Sequence, residues 1–427
     1  MKIRINNISI IFFLALLFLI ICYPLQFQLE KVIMIIITLV LAIISGKRPR
    51  ISKLIMIVLI LTITYNFINL TYTSFYGYSP FVYFSLYLAS PILYVALFSL
   101  YYDFLRTKLF YIFLTVFSCF ISILDINSVA LSSKFGGSDI VNNLFTGRVG
   151  IHDGYTQIVD YNVYSLFFLT PFLIALLTKR AIPLVFLFPS VILTITAVIL
   201  TGRRALWLAI AISFLVLCII IVVKILIKDV SRQNIFKIFL SISGVFILSV
   251  ILVSIDSPTI LATFGGLAAR FSDAFSDTGG LGIRDLQQKV LLQEWSTSPV
   301  FGNGIAVPAS LIRSIEFVTA YESSYHALLY QIGLLGFLLY SVPTLATLLG
   351  LLFSFFKLSD DTLQIACGVG LLSILIGISS NPYFGSFDGL WMLFLPIMVY
   401  NDLLLKKESK RENSKNFNLN RLIWSRK

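Results

Sequence analysis

Residues 182–223 read IPLVFLFPSVILTITAVILTGRRALWLAIAISFLVLCIIIVV. Two apolar runs, Ile182–Leu200 and Ala205–Val223, are separated only by Thr201-Gly-Arg-Arg204, and each is close to the ~20 residues that carry a helix across a bilayer. An apolar helix that long cannot be hidden twice over in a small soluble core, and the intervening turn is too short to leave the surface of a membrane. The pair therefore reads as a helical hairpin in lipid, with two arginines at its tip.

The rest of the chain repeats this pattern. Of 427 residues 58% are hydrophobic and only 12% charged, with a mean hydropathy of +0.94, which excludes a water-soluble protein with a polar shell. Apolar runs predict twelve spans: Ile8–Leu25, Val32–Gly46, Leu54–Leu70, Phe81–Tyr101, Leu109–Leu124, Tyr161–Leu177, Ile182–Leu200, Ala205–Val223, Ile238–Ile255, Leu334–Phe356, Leu363–Ser379 and Leu390–Leu405. The expected fold is all-α: one transmembrane domain over residues 1–405, holding a large extracytoplasmic loop at 256–323, followed by a disordered cytoplasmic tail over 406–427, where charge replaces apolar residues. The first run has no small-residue cleavage site and is expected to be a retained helix.

The net charge of +12 does not point to nucleic acid, because the basic residues stand in short clusters between apolar runs, which is how orientation is encoded. With a cytoplasmic N-terminus, 23 of the 32 Lys and Arg residues fall inside. Only Lys31, Lys134, Arg148, Arg203, Arg204, Arg270, Arg284, Lys289 and Arg313 fall outside, although both long loops are there. Both termini are accordingly expected in the cytoplasm. Cys22, Cys119, Cys218 and Cys367 lie in apolar segments without CxxC spacing, so neither a disulfide framework nor a metal site is indicated.

Two outside segments, Asp125–Asp160 and Asp256–Ser323, are long enough to suggest function. The second contains helix-like stretches at Ile283–Trp295, with Leu286, Val290, Leu291 and Trp295 on an apolar face, and at Pro308–Val318; it is expected to form a cap on the membrane. Arg203 and Arg204 run against the positive-inside trend. Either they snorkel to lipid headgroups, or they form a guanidinium fork that binds a phosphate or pyrophosphate at the surface. Arg148, Arg270, Arg284 and Arg313 are each open to two readings, as anion contacts or as solvated or salt-bridged loop residues. Glu322 and His326, in Ala320-Tyr-Glu-Ser-Ser-Tyr-His-Ala, are four apart and share a face if this stretch is helical. They can be a base with its orienting partner, or an interfacial pair that anchors the helix. Ser298-Pro-Val-Phe-Gly302-Asn-Gly304 reads as a tight turn.

In this order the stretches resemble the O-antigen ligase and polymerase superfamily of bacterial envelope glycosyltransferases. Thr201-Gly-Arg-Arg204-Ala is similar to its Thr-Gly-Ser-Arg-Gly motif, and Arg284 through Pro299-Val-Phe-Gly302-Asn-Gly304 to its loop Arg and Pro-x-x-Gly-x-Gly turn. Glu322-Ser-Ser-Tyr325 with Leu329, Gly333 and Gly336 is similar to its His-Asn-x-Tyr-x-x-x-Leu-x-x-x-Gly-x-x-Gly motif. Glu322 stands where ligases of the family carry their histidine, and His326 lies one turn further on, which favours a repeat-unit (Wzy-type) polymerase over a ligase.

The resemblance implies a GT-C-like enzyme of the bacterial cytoplasmic (inner) membrane that needs no cofactor and no metal. It implies a donor and an acceptor both linked to undecaprenyl pyrophosphate, and leaves room for a chain-length regulator protein as partner. It places Arg203, Arg204 and Arg284 on the pyrophosphate, Glu322 or His326 at the acceptor hydroxyl, and Tyr325, Arg148, Arg270 and Arg313 around the substrate. A ligase passing glycan to lipid A-core is the alternative, and a lipid-linked oligosaccharide flippase the second alternative. Placement of charge at the surfaces rather than within the spans argues against transport.

Overall fold

The computed structural model describes residues 2–75, 81–135, 149–152, 155–158, 162–201, 203–228, 281–312, 318–319, 321–354, 361–379 and 381–424. The elements are α1 (Lys2–Cys22), α2 (Gln28–Ile44), α3 (Lys53–Phe75), α4 (Phe81–Phe84), a π-helical turn (Ser85–Ala89), α5 (Ser90–Leu100), α6 (Tyr102–Leu105) and α7 (Lys108–Phe135). A hairpin of β1 (Val149–His152) and β2 (Tyr155–Ile158) follows, then α8 (Val163–Lys179), α9 (Leu184–Leu200), α10 (Arg204–Lys228), α11 (Leu281–Trp295), α12 (Ser324–Ser354), α13 (Thr362–Gly377), a short 3-10 turn (Phe387–Gly389) and α14 (Trp391–Trp424). Helices thus occupy eleven of the twelve expected apolar runs; the run Ile238–Ile255 lies outside the described residues. Among the described residues, five helices are long and apolar enough to cross a membrane: α1, α3, α7, α10 and α12.

The core is built around α8. Residues Val163, Ser165–Leu177 are buried on every side, as expected of a helix that is apolar all round, and it packs most extensively on α13 with α7, α9 and α10 around it. Gly370 and Gly377 of α13 lie against the rings of Phe168 and Phe167, so the small residues let the two helices approach closely. The outer surface is also apolar: Ile11, Ile36, Ile57, Val185, Phe186, Leu215 and Val342 are all exposed. Apolar exposure on this scale fits a lipid environment.

The all-α class holds, with one short hairpin added: β1 and β2 pair antiparallel, with Val149 opposite Ile158 and His152 opposite Tyr155. Asp153-Gly154 between them is a sequence that favours a two-residue hairpin turn. Three expectations change. The helix at Leu109–Leu124 continues to Phe135; within the extension the Ser128 hydroxyl turns back to the Leu124 carbonyl at 2.8 Å, so this polar side chain is satisfied on the helix itself. The segment 406–424, expected to be disordered, continues α14; Lys406 pairs with Asp402 one turn earlier at 2.6 Å, an i,i+4 contact that composition alone does not weigh. Residues 308–312 are not helical. Their backbone is engaged elsewhere, Ala309 N–H donating to the Tyr321 hydroxyl (2.6 Å) and Ser310 N–H to Glu294 (2.9 Å).

Candidate active site

The loop after α11 and the kinked helix α12 form one interlocked unit. At Gly333 α12 leaves helical geometry (φ 62°, ψ −173°), which frees backbone groups that would otherwise bond along the helix. The turn 299–304 takes them up: Asn303 N–H donates to Tyr330 O (2.8 Å), Gly304 N–H to Gln331 O (3.0 Å), Leu334 N–H to Pro299 O (2.9 Å) and Leu335 N–H to Val300 O (3.1 Å). Tyr65 and Asn69 of α3 close the third side. The Tyr65 hydroxyl donates to Ile332 O (2.5 Å), and the Asn69 amide takes Ile305 N–H on its oxygen (2.9 Å). The Trp295 indole N–H bonds Pro299 O at 3.0 Å, which ties the end of α11 to the same turn.

This interlock fixes α11 across the start of α12. The face of α11 turned inward is Arg284, Gln287, Gln288 and Leu291, a helical i, i+3, i+4, i+7 stripe. Leu291 is fully buried against Tyr321 and Tyr330 and Gln287 is buried, while Leu286, expected to share an apolar face with Leu291, is half exposed. Polar contacts decide that rotation. Arg284 Nε donates to Glu322 Oε2 at 2.6 Å, the Glu322 N–H donates to Gln287 Oε1 at 2.9 Å, and Gln288 Nε2 donates to Ser323 Oγ at 2.9 Å. The two glutamines passed unnoticed in the sequence; their spacing from Arg284 was the available signal.

Glu322 precedes the first residue of α12, Ser324, so the four-residue spacing to His326 does not place the two on one helical face. The Glu322 carboxylate, 16% exposed, faces Arg284, 40% exposed. His326 is half-buried on the first turn of α12. Tyr325 turns to the bundle, its hydroxyl donating to Leu375 O at 2.6 Å, and Ser324 Oγ donates to Asn381 O at 3.0 Å.

Arg203 approaches the same region from the tip of the α9–α10 hairpin. That tip is held by its own motif residues: Trp207 Nε1 and Thr201 Oγ1 both donate to Val198 O at 2.8 Å, and Arg203 N–H donates to Thr201 Oγ1 at 3.3 Å. Arg203 is only 9% exposed; its guanidinium lies 5.2 Å from the centre of the Tyr164 ring, which itself packs 4.3 Å from Tyr383. Snorkelling outward is therefore not what this arginine does. Burial works against its charge, but Tyr383 and Tyr164 outweigh burial and raise its pKa above the ordinary arginine value. Burial likewise pushes the Tyr383 phenol up to about 12, while Arg203 and, more weakly, Arg284 pull it down. One buried hydroxyl thus lies in the field of both guanidiniums. Arg204 begins α10, but its side chain lies outside the described residues, as do Arg148, Arg270 and Arg313.

The chemistry available is two guanidiniums, those of Arg203 and Arg284, acting on the buried Tyr383 hydroxyl, with the Glu322 carboxylate paired to Arg284. Two guanidiniums suit a diphosphate, and a carboxylate released from its arginine can accept a proton. Among the described residues no three His, Cys, Asp or Glu side chains are grouped as metal ligands would be. No protein-family model and no curated protein matches this chain.

Proposed function

We propose that the protein is a polymerase of the bacterial cytoplasmic membrane, with twelve spans and both termini inside, that joins undecaprenyl-pyrophosphate-linked oligosaccharide repeat units into O-antigen, capsule or exopolysaccharide. The supporting observation is the convergence of Arg203, Arg284 and Glu322, distant in sequence, around Tyr383 and the start of α12. The donor is already activated, so the reaction needs an acceptor hydroxyl held at the anomeric carbon and a stabilised leaving pyrophosphate. In this mechanism the incoming pyrophosphate draws Arg284 away from Glu322. The freed carboxylate takes the acceptor proton as the glycosidic C–O bond forms, and the C1–O bond to the lipid pyrophosphate breaks with its electron pair passing to the leaving group. Arg203 and Arg284 hold the charge that develops, a task that does not call for a metal.

A glutamate at the motif position favours the polymerase over the ligase. A deletion strain tests this directly. One repeat unit on lipid A-core marks a polymerase, and accumulated lipid-linked polymer with no attached glycan marks a ligase. Purified protein in liposomes that moves a fluorescent lipid-linked oligosaccharide across the bilayer without lengthening it would establish the flippase instead.

A further inference from the structure

At the opposite, basic end of the bundle a cavity of about 570 Å³ is bounded by α1, by the loop after α2 and by the α5–α6 junction, with Asn6, Lys47, Arg48, Arg50, Tyr101 and Asp103 on its walls. Lys47 is its unusual member. The ammonium sits 3.6 Å from the centre of the Tyr101 ring and is buried, yet among the described residues it has no hydrogen-bond acceptor.

The ring beneath it is rigidly mounted. Phe13 stacks on Tyr101 at 4.2 Å and 3°, and the Tyr101 hydroxyl is tied to Ser9 and donates to Thr38 O at 3.1 Å. A cation–π contact holds the ammonium in place but satisfies none of its three N–H donors, and burial pulls its pKa down to about 8. Desolvating a charge without an acceptor is costly; the Asp103 carboxylate offsets part of that cost, and an anion entering the cavity would supply the acceptors.

Arg48 and Arg50 add two further cations at the rim. Ile43 and Ile44, at the end of α2 and next to the lining residues Ser45 and Gly46, are exposed, so an apolar surface adjoins the basic pocket. A phosphate with acyl chains attached matches both features, whereas a soluble anion uses only the first.

We propose that this cavity is a headgroup site for an anionic phospholipid of the cytoplasmic leaflet, its phosphate bound by Lys47 with Arg48 and Arg50, a type of site that basic pockets between helices are suited to form. It is independent of glycosyl transfer and requires only that the basic face meet that leaflet. Asp103, paired with Arg50 at 3.3 Å and largely exposed, is the carboxylate that competes with the ligand.

The test is a titration of the full-length protein in uncharged detergent with short-chain phosphatidylglycerol, phosphatidylcholine of the same chain length, and inorganic phosphate, read by native mass spectrometry and ligand-dependent melting. Phosphatidylglycerol should bind saturably and at least tenfold more tightly than phosphatidylcholine, and millimolar inorganic phosphate should not displace it. Lys47→Met should weaken it at least tenfold; Asp103→Asn, an exposed change that leaves the core untouched, should tighten it several-fold. Equal binding of the two lipids, unchanged binding in both variants, or displacement by inorganic phosphate would each overturn the proposal. If Lys47→Met does not fold, Asp103→Asn and Arg48→Gln decide it by their opposite effects.

Discussion

Gly302 and Gly333 meet backbone to backbone: a Cβ on Gly302 would press on the Gly333 nitrogen and lie 2.5 Å from the Gln331 carbonyl oxygen, and one on Gly333 would press on the Gly302 nitrogen. Both have positive φ, 78° and 62°. The loop motif and the helix motif are therefore two halves of one joint, which sets where α11, and with it Arg284, crosses the start of α12.

Gly302→Ala and Gly333→Ala should each destabilise the protein by more than about 4 kcal/mol, the range reached when backbone has to move. Gly46 is the control. It also has positive φ (80°) but nothing within 4 Å of an added Cβ, so Gly46→Ala should cost only the conformational penalty of about 1–2 kcal/mol. Melting of the three variants in detergent checks this, and equal losses would show that the close approach contributes nothing.

Lys31 and Asp388 form a fully buried ion pair at 2.8 Å, with side-chain exposures of 1% and 0%. The carboxylate is further satisfied by the Leu25 N–H (2.7 Å) and Gln28 Nε2 (3.3 Å), and the ammonium by Tyr23 O (2.8 Å). Removing one partner strands the other charge, so Lys31→Met should cost about 3–5 kcal/mol and Lys31→Met with Asp388→Leu markedly less than either change alone. Additive losses in the double variant would rule out the stranded charge as the cause.

Arg203→Lys and Arg284→Lys should insert normally and lose most activity. Lysine keeps the charge but loses the planar guanidinium and its two parallel donors. Loss of one charge-assisted contact of about 2–4 kcal/mol at the buried Arg203 slows turnover by roughly 30- to 1000-fold, and the loss is smaller at Arg284, which is 40% exposed. Wild-type glycan ladders from both variants would remove these arginines from the chemistry.

Phosphatase or fluorescent-protein fusions should report Asn127, Gly265 and Ser310 outside and Arg48, Lys228 and Lys415 inside. A cytoplasmic signal from Gly265 or Ser310 would put Arg284 and Glu322 on the wrong side of the membrane for a donor at the outer leaflet.

Much of the helical layout could be read from the sequence because the span signal is a local sum over about 20 residues. What could not be read depends on partners far away in the chain. Gly302 reads as part of a tight turn, Gly333 as a motif position before a span and Lys31 as an outside lysine; only the fold joins the two glycines and brings Asp388 to Lys31. Arg203 was readable as an arginine in the wrong place, but only the packing of Tyr164 and Tyr383 turns it inward. Asp153-Gly154 stands between two β-prone stretches, but strands of four residues carry far less signal than the apolar runs on either side.

The pairing of Glu322 with Arg284 at 2.6 Å sharpens the choice of base. A carboxylate held by a guanidinium is a poor proton acceptor until the guanidinium is drawn away, and in the proposed cycle only a bound donor pyrophosphate does that, so base and donor become linked. Glu322→Gln keeps the size and a hydrogen bond to Arg284 but accepts no proton at neutral pH. It should abolish polymer formation while donor binding persists, and His326→Ala should leave much of the activity. If His326 is the base, the order reverses, with His326→Ala severe and Glu322→Gln mild. Polymer length on gels, together with binding of a labelled lipid-linked donor, separates the two outcomes. Wild-type ladders from both variants would leave catalysis to positioning and to stabilisation of the pyrophosphate by Arg203 and Arg284.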